Sequence, residues 1–177
     1  MIFLDEYDRL IDEVFSQGDV RYFDNYQSIN LTFFLKNKGI LIEDHSGKIE
    51  KSVLSKKAVE IKMCGPQVDL KQIAFQIFLD EDVTLVGFER RQPGGIADME
   101  GTKSTIKILV ECGPCRIDKG FTYLRETDTE LWVISEDFNR KYWFIIKRGP
   151  NWDKCIQHFD KLRNSRLQRV KNPYDTL

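Results

Sequence analysis

Between Gly94 and Gly120 lie two sets of residues whose types could do chemistry. Cys112, Gly113, Pro114 and Cys115 form C-G-P-C, the spacing of a thiol–disulfide exchange pair. Such a pair works when a helix N-terminus lowers the pKa of its first thiol. Asp98, Glu111 and Lys119 are two acids and a lysine. Carboxylate oxygens are hard donors for Mg²⁺, and an ammonium beside them offsets charge developing on a phosphate. A third combination, Cys112, Cys115, Cys155 and His158, reads C-x2-C-x39-C-x2-H, which zinc accepts.

The thiol reading has local support and local opposition. Pro114 predicts a helix start just after Cys112, but Glu111 adjoins the thiol and a carboxylate there opposes thiolate formation. Likeness to thioredoxin covers four residues: its usual preceding Trp is Glu111, and the only Pro shortly downstream is Pro150. An ordinary or raised pKa is expected for Cys112. Cys155 lies beside Ile156 on an apolar helical face, where a free Cys serves as a small core residue.

These residues depend on the elements that carry them. Leu4, Tyr7, Ile11, Val14 and Phe15 have helical spacing, and residues 28–39 read as a short helix or a strand. Residues 39–54 look like a hairpin turning at His45-Ser46-Gly47, so the N-terminal region has a faint winged-helix outline. The rest is clearer. Residues 67–82 predict a helix capped by Asp69, with Leu70, Ile73, Ala74 and Ile77 inward. "VTLVGFERR", "GGIADM" and "STIKILVEC" predict three strands joined by turns, and a helix follows from Pro114 to about Arg125 with Ile117, Phe121 and Leu124 facing in. "TELWVIS" and "RKYWFIIKRG" are apolar and β-prone. Asn151 then opens a last helix with the stripe Trp152, Ile156, Phe159 and Leu162. A meander followed by a crossover helix implies an α/β fold, a mixed central sheet flanked by helices.

In this order the stretch 68–148 resembles the core of the PD-(D/E)xK nuclease superfamily, the fold of restriction endonucleases and Holliday-junction resolvases. That family runs helix, strand, a strand opening on Asp, a strand carrying Glu-x-Lys, helix, strand. Asp98 follows "GGIA" and Glu111 ends "KILVE". The resemblance implies a restriction-endonuclease-like core at 61–177 with an N-terminal α+β extension at 1–60, or one compact domain throughout. It implies Mg²⁺- or Mn²⁺-dependent hydrolysis of DNA, with Asp98 and Glu111 as metal ligands. The family's Lys, two residues past the Glu, is Gly113 here. Lys119 on the following helix is the replacement it implies, with Lys107 as the alternative. The family's helical Glu is also missing; Gln72 or Gln76 occupies that helix, and Glu60 or Glu89 could stand in. Some superfamily members have lost activity, so a non-catalytic nucleic-acid-binding or protein-interaction module is the rival reading, and CGPC redox chemistry is the third. Taken singly, Asp98 is a turn carboxylate and Glu111 a strand-end cap.

Composition sets the frame. In 177 residues, 41% hydrophobic and 31% charged residues suit a packed globular chain. No apolar run approaches a membrane span, and the acidic amphipathic start is unlike a signal peptide, so a cytoplasmic protein with reduced thiols is expected. The net charge of −1 hides an asymmetry. Residues 1–30 hold seven acids and two bases, whereas residues 139–171 hold ten Lys or Arg against Asp153 and Asp160. Arg140, Lys141, Lys147, Arg148, Lys161, Arg163, Arg166 and Arg169 are the candidate contacts to a nucleic-acid backbone, or else a solvated face. A homodimer is compatible with this chain.

Overall fold

The computed structural model describes residues 39–50 and 53–171. The expected helix at residues 4–15 and the segment at 28–38 lie outside them. The elements run β1 (Ile40–Asp44), α1 (Ser46–Glu50), α2 (Lys56–Glu60), α3 (Val68–Asp80), β2 (Thr84–Gln92), β3 (Gly95–Lys103), β4 (Ile106–Cys112), α4 (Ile117–Tyr123), β5 (Thr129–Asp137), β6 (Arg140–Arg148) and α5 (Trp152–Lys171). From residue 68 onward this is the order expected: helix, three strands, helix, two strands, helix.

Six strands form one mixed sheet in the order β1-β6-β5-β4-β3-β2. The meander β2-β3-β4 is antiparallel, β4 and β5 are parallel across the α4 crossover, and β5-β6 is a hairpin. Each face of the sheet carries its own core. On one, Leu70, Ile73, Ala74, Ile77 and Phe78 of α3 cover Met99, Ile108, Val110, Cys112, Trp132 and Ile134. On the other, Phe121 and Leu124 at α4 and Trp152, Cys155 and Phe159 of α5 cover Ala97, Leu109, Leu131, Val133 and Phe144. Phe121 stacks between Trp152 and Phe159, with ring centroids 5.7 and 4.9 Å away, and fixes the short α4 against the long α5. Among the described residues no helix is long and apolar enough to cross a membrane.

Three local expectations are corrected. Residues 39–54 are not a hairpin: β1 pairs antiparallel with β6, about a hundred positions away, and the chain turns directly into α1. The turn is built by polar side chains. Asp44 Oδ1 accepts from Ser46 N at 2.9 Å, and Ser46 Oγ accepts from Trp143 N at 3.1 Å, which ties the turn to β6. Thus β1 joins the sheet, and α1 and α2 join the α3-side core, where Ile49 and Ala58 are buried. Second, Asp69 does not cap α3. Gln67, at φ 63°, is the N-cap, and Asp69 lies in the first turn, where its charge favours the helix dipole. Third, the helix expected from Pro114 to about Arg125 spans only Ile117–Tyr123: the backbone is left-handed at Gly113 and still extended at Arg116, the N-cap, so Pro114 lies in the connecting loop.

Candidate functional site

Asp98 and Glu111 meet through strand pairing. Met99 pairs with Val110 across the β3–β4 ladder, and one step further sets Asp98 opposite Glu111. Asp98 Oδ2 accepts the Cys112 backbone N–H at 2.6 Å, so the carboxylate is held beside the end of β4. The strand is irregular at this point. Ala97 packs on the α4 side and Met99 on the α3 side, although residues two apart on a regular strand share a face. Facing Asp98 on β2 is Glu89, between the pairs Phe88↔Met99 and Arg90↔Ala97, with a positive φ of 50°.

Helix α4 brings the lysine. Lys119 and Tyr123 are four residues apart and therefore share one helical face. Lys119 Nζ lies 2.7 Å from Glu111 Oε1 and donates to the Ile96 carbonyl at 3.0 Å. Tyr123 Oη donates to the same Glu111 oxygen at 3.0 Å. Gly94 and Gly95 permit this approach. Both have positive φ, and a Cβ would come within 2.5 Å of Thr122 Cγ2 at Gly94 and 3.0 Å of Lys119 Cε at Gly95. Lys107, the alternative lysine, is four residues back along β4. It bonds Gln92 Oε1 at 2.6 Å and Glu126 Oε2 at 3.1 Å, in a separate cluster with Glu100.

On the α3 side a second lysine sits nearby. Lys71 has no exposed side-chain surface; its ammonium pairs with Glu89 Oε1 and donates to the Cys64 carbonyl at 2.6 Å. Of the stand-ins for the missing helical Glu, Glu89 is the one beside Asp98. Glu60 is on the surface, 3.9 Å from Lys56, and Gln72 and Gln76 bond the Val59 carbonyl and Ser55 N. The sequence reading missed Lys71 and Tyr123. Lys71 looked like an ordinary charge on an amphipathic helix, and Tyr123 carried no signal beyond its i+4 spacing from Lys119.

The electrostatics are those of crowded acids. Burial, opposed by the Lys119 hydrogen bond and charge, pushes the Glu111 carboxyl up to about 7, and the nearby Asp98 adds to the rise. Burial also raises Asp98, against the pull of the Cys112 N–H. Tyr123 is raised by burial and by its acidic neighbour Glu111, so it is a neutral donor. A pair of this kind, one acid buried and the other half-buried, accommodates a cation well, because the cation compensates the charge that burial disfavours. Two carboxylates match Mg²⁺ or Mn²⁺, which keep several waters and take the remaining ligands from a phosphate. Among the described residues no three His, Cys, Asp or Glu side chains gather closely enough to hold an ion by themselves.

The thiols are arranged differently. None of the four cysteines is in a disulfide, and Cys64 is exposed whereas Cys112, Cys115 and Cys155 are buried. Cys112 packs in the α3-side core, while Cys115 and Cys155 pack in the α4–α5 core, so the proposed zinc set is split between sheet faces. Burial pushes the Cys112 thiol well up, and Asp98 and Glu111 push it further, as its neighbour led us to expect.

The basic run does not form one surface. Arg140 and Lys141 start β6 at the end of the sheet where β4 finishes, the acid-pair end. Lys147 and Arg148 lie at the opposite end, roughly 25 Å along the strand. Lys147 pairs with Glu43 at 3.1 Å and Glu130 at 3.4 Å, and Arg148 bonds the Leu124 and Arg125 carbonyls and lies over Trp152. Lys161 is exposed on α5, and the backbone of that helix continues through Arg163, Arg166 and Arg169.

Compared with protein-family models, with curated proteins and with solved structures, the chain matches none.

Proposed function

We propose that residues 68–148 form a restriction-endonuclease-like core, and that the protein is a metal-dependent nuclease hydrolysing phosphodiester bonds of DNA. The observation that carries this reading is the convergence of Asp98, Glu111 and Lys119 at one end of adjacent strands, with the lysine supplied by the crossover helix. The strand order supports it too, since a meander followed by a parallel crossover is the arrangement the superfamily pattern requires.

In this reading Asp98 and Glu111 hold Mg²⁺ or Mn²⁺, which when bound supplies Lewis acidity toward the phosphate and an activated water. The chain's own groups do the rest. The Cys112 N–H fixes the orientation of Asp98, and Tyr123 holds the same Glu111 oxygen that Lys119 contacts. Lys119 compensates negative charge at Glu111 and can pass that compensation to a phosphate oxygen as charge develops there. Arg140 and Lys141, at the same end of the sheet, offer contacts to the substrate backbone.

One observation favours a second reading, a binding module without chemistry. Lys119 already neutralises Glu111, and Lys71 pairs with Glu89 beside Asp98, so two of the acids have cations of the chain's own without an ion. Cleavage assays separate the two. Labelled single- and double-stranded DNA and RNA are incubated with Mg²⁺, Mn²⁺ or chelator. The nuclease reading expects cleavage with metal only, lost in Asp98→Asn and Glu111→Gln while binding persists. Binding with no cleavage of any substrate selects the module.

A further inference from the structure

The β5–β6 hairpin ends in a two-residue loop, Phe138-Asn139, closed by the pair Asp137↔Arg140. Both loop residues have positive φ, 47° and 66°. Turns of this type favour Asn-Gly or Asp-Gly, because side chains at positive φ are strained and bulky ones most of all. Phe138 stands in this position with 96% of its surface exposed, so no packing offsets the strain. An apolar ring held out at a strained tip points to a contact made outside the fold.

The surroundings identify the contact. β4 and β5 run parallel with Glu111 level with Val133, so both strands point toward the same end of the sheet. Phe138 lies five residues beyond that level on the strand next to the acid pair, roughly 16 Å along it. Arg140 is braced over the Tyr142 ring at 5.3 Å, and Lys141 follows it. Asp137 and Glu136 face those two bases across the hairpin, which leaves the tip near electrical neutrality. A contact at the tip therefore gains from its ring more than from charge.

We propose that Phe138 is a base-stacking residue, which packs against an unpaired nucleobase of the strand bound at the acid pair. This rests on the nucleic-acid reading above. Stacked bases along a strand are about 3.4 Å apart and an extended strand spaces them more widely, so the stacked base lies at most about five nucleotides from the phosphate at Glu111. Every base has a π-face, so the contact is indifferent to sequence. In a perfect duplex both faces of each base are taken, and inserting a ring costs unstacking. The tip therefore favours single strands, flaps and mismatches.

The test is fluorescence anisotropy of labelled single-stranded 20-mers and matched duplexes, without divalent ions, against wild type, Phe138→Ala and Phe138→Trp. Circular dichroism checks that the variants are folded. Phe138→Ala is expected to weaken single-strand binding about tenfold and leave the slope of affinity against salt unchanged, because stacking carries no counterion release. Phe138→Trp is expected to restore binding, which a merely structural role would not produce. Equal single-strand affinity of Phe138→Ala and wild type overturns the stacking contact and leaves the nucleic-acid reading standing. An equal loss on duplex overturns the preference for unpaired bases. Wild type that binds neither substrate overturns this inference together with the reading beneath it.

Discussion

Lys119 Nζ lies 2.7 Å from Glu111 Oε1 and 3.0 Å from the Ile96 carbonyl, so one ammonium joins α4, β4 and β3 at the point where Asp98 stands. The cation at this acid pair is the chain's own. The site's chemistry then turns on what happens to Glu111 when the charge around it changes.

The pH dependence of stability follows from Glu111. Its folded carboxyl is raised from 4.5 to about 7, so the folded state binds an extra proton between those values. The associated stability is fully present below pH 4.5 and is lost as pH rises through 7, on the order of 3 kcal/mol. Asp98, also raised, acts with the same sign. Glu111→Gln keeps an acceptor for Lys119 and Tyr123 but cannot ionise. Thermal melts should show wild type falling relative to this variant between pH 5 and 8. Parallel curves would mean that Glu111 titrates as an ordinary carboxylate.

Lys119 is expected to act on rate more than on binding. Lys119→Ala should slow strand cleavage by about 10²-fold or more, since losing one charge-stabilising group costs about 2.7 kcal/mol. Lys107→Ala should leave the rate near wild type, because Lys107 is engaged with Gln92, Glu100 and Glu126. Single-turnover rates on one labelled substrate check both. The reverse pattern would place the wrong lysine at the site.

Much of this arrangement was legible in the sequence. The alternation of apolar runs with Gly-rich turns fixes β2, β3 and β4, and strong β propensity marks β5 and β6. Strand pairing then carries Asp98 and Glu111 together, because local patterns here determine which neighbours meet. Lys119 followed from its place on the helix after Pro114, although that helix starts only at Ile117 and so carries Lys119 in its first turn, not its second. What depends on distant partners was hidden. The segment 39–54 has hairpin-like composition, yet its partner is β6, and Ser46 serves Trp143 N nearly a hundred residues on. Lys71 is buried against Glu89, a residue at positive φ on β2, and Gly65 must lack a Cβ for the pair to fit: a Cβ there would come 2.3 Å from Glu89 Oε1 and 2.9 Å from Lys71 Nζ. No local pattern encodes that. The basic run looked continuous because its cations are close in sequence, whereas an extended strand carries its two ends apart.

The thiols should behave as core residues. Titration with an aromatic disulfide under native conditions is expected to find one fast thiol, Cys64, with Cys112, Cys115 and Cys155 reacting only on unfolding. Insulin reduction should be negligible and unchanged in Cys112→Ser. Strong activity that vanishes in the variant would restore the redox reading.

The strain at the hairpin tip predicts a stability gain. Phe138→Asn places a residue that tolerates positive φ at the first loop position and should raise unfolding free energy by about 1 kcal/mol. Urea denaturation measures it. A loss of stability would show that the ring has an intramolecular role.

Divalent-ion binding shows whether the acid pair gives up Lys119 for a metal. Electron paramagnetic resonance can count bound Mn²⁺ in wild type and Glu111→Gln at pH 6 and pH 8. One saturable site is expected in wild type, tighter at pH 8 because Glu111 must lose its proton, and absent or greatly weakened in Glu111→Gln. No saturable site, or one indifferent to both pH and Glu111→Gln, would contradict it.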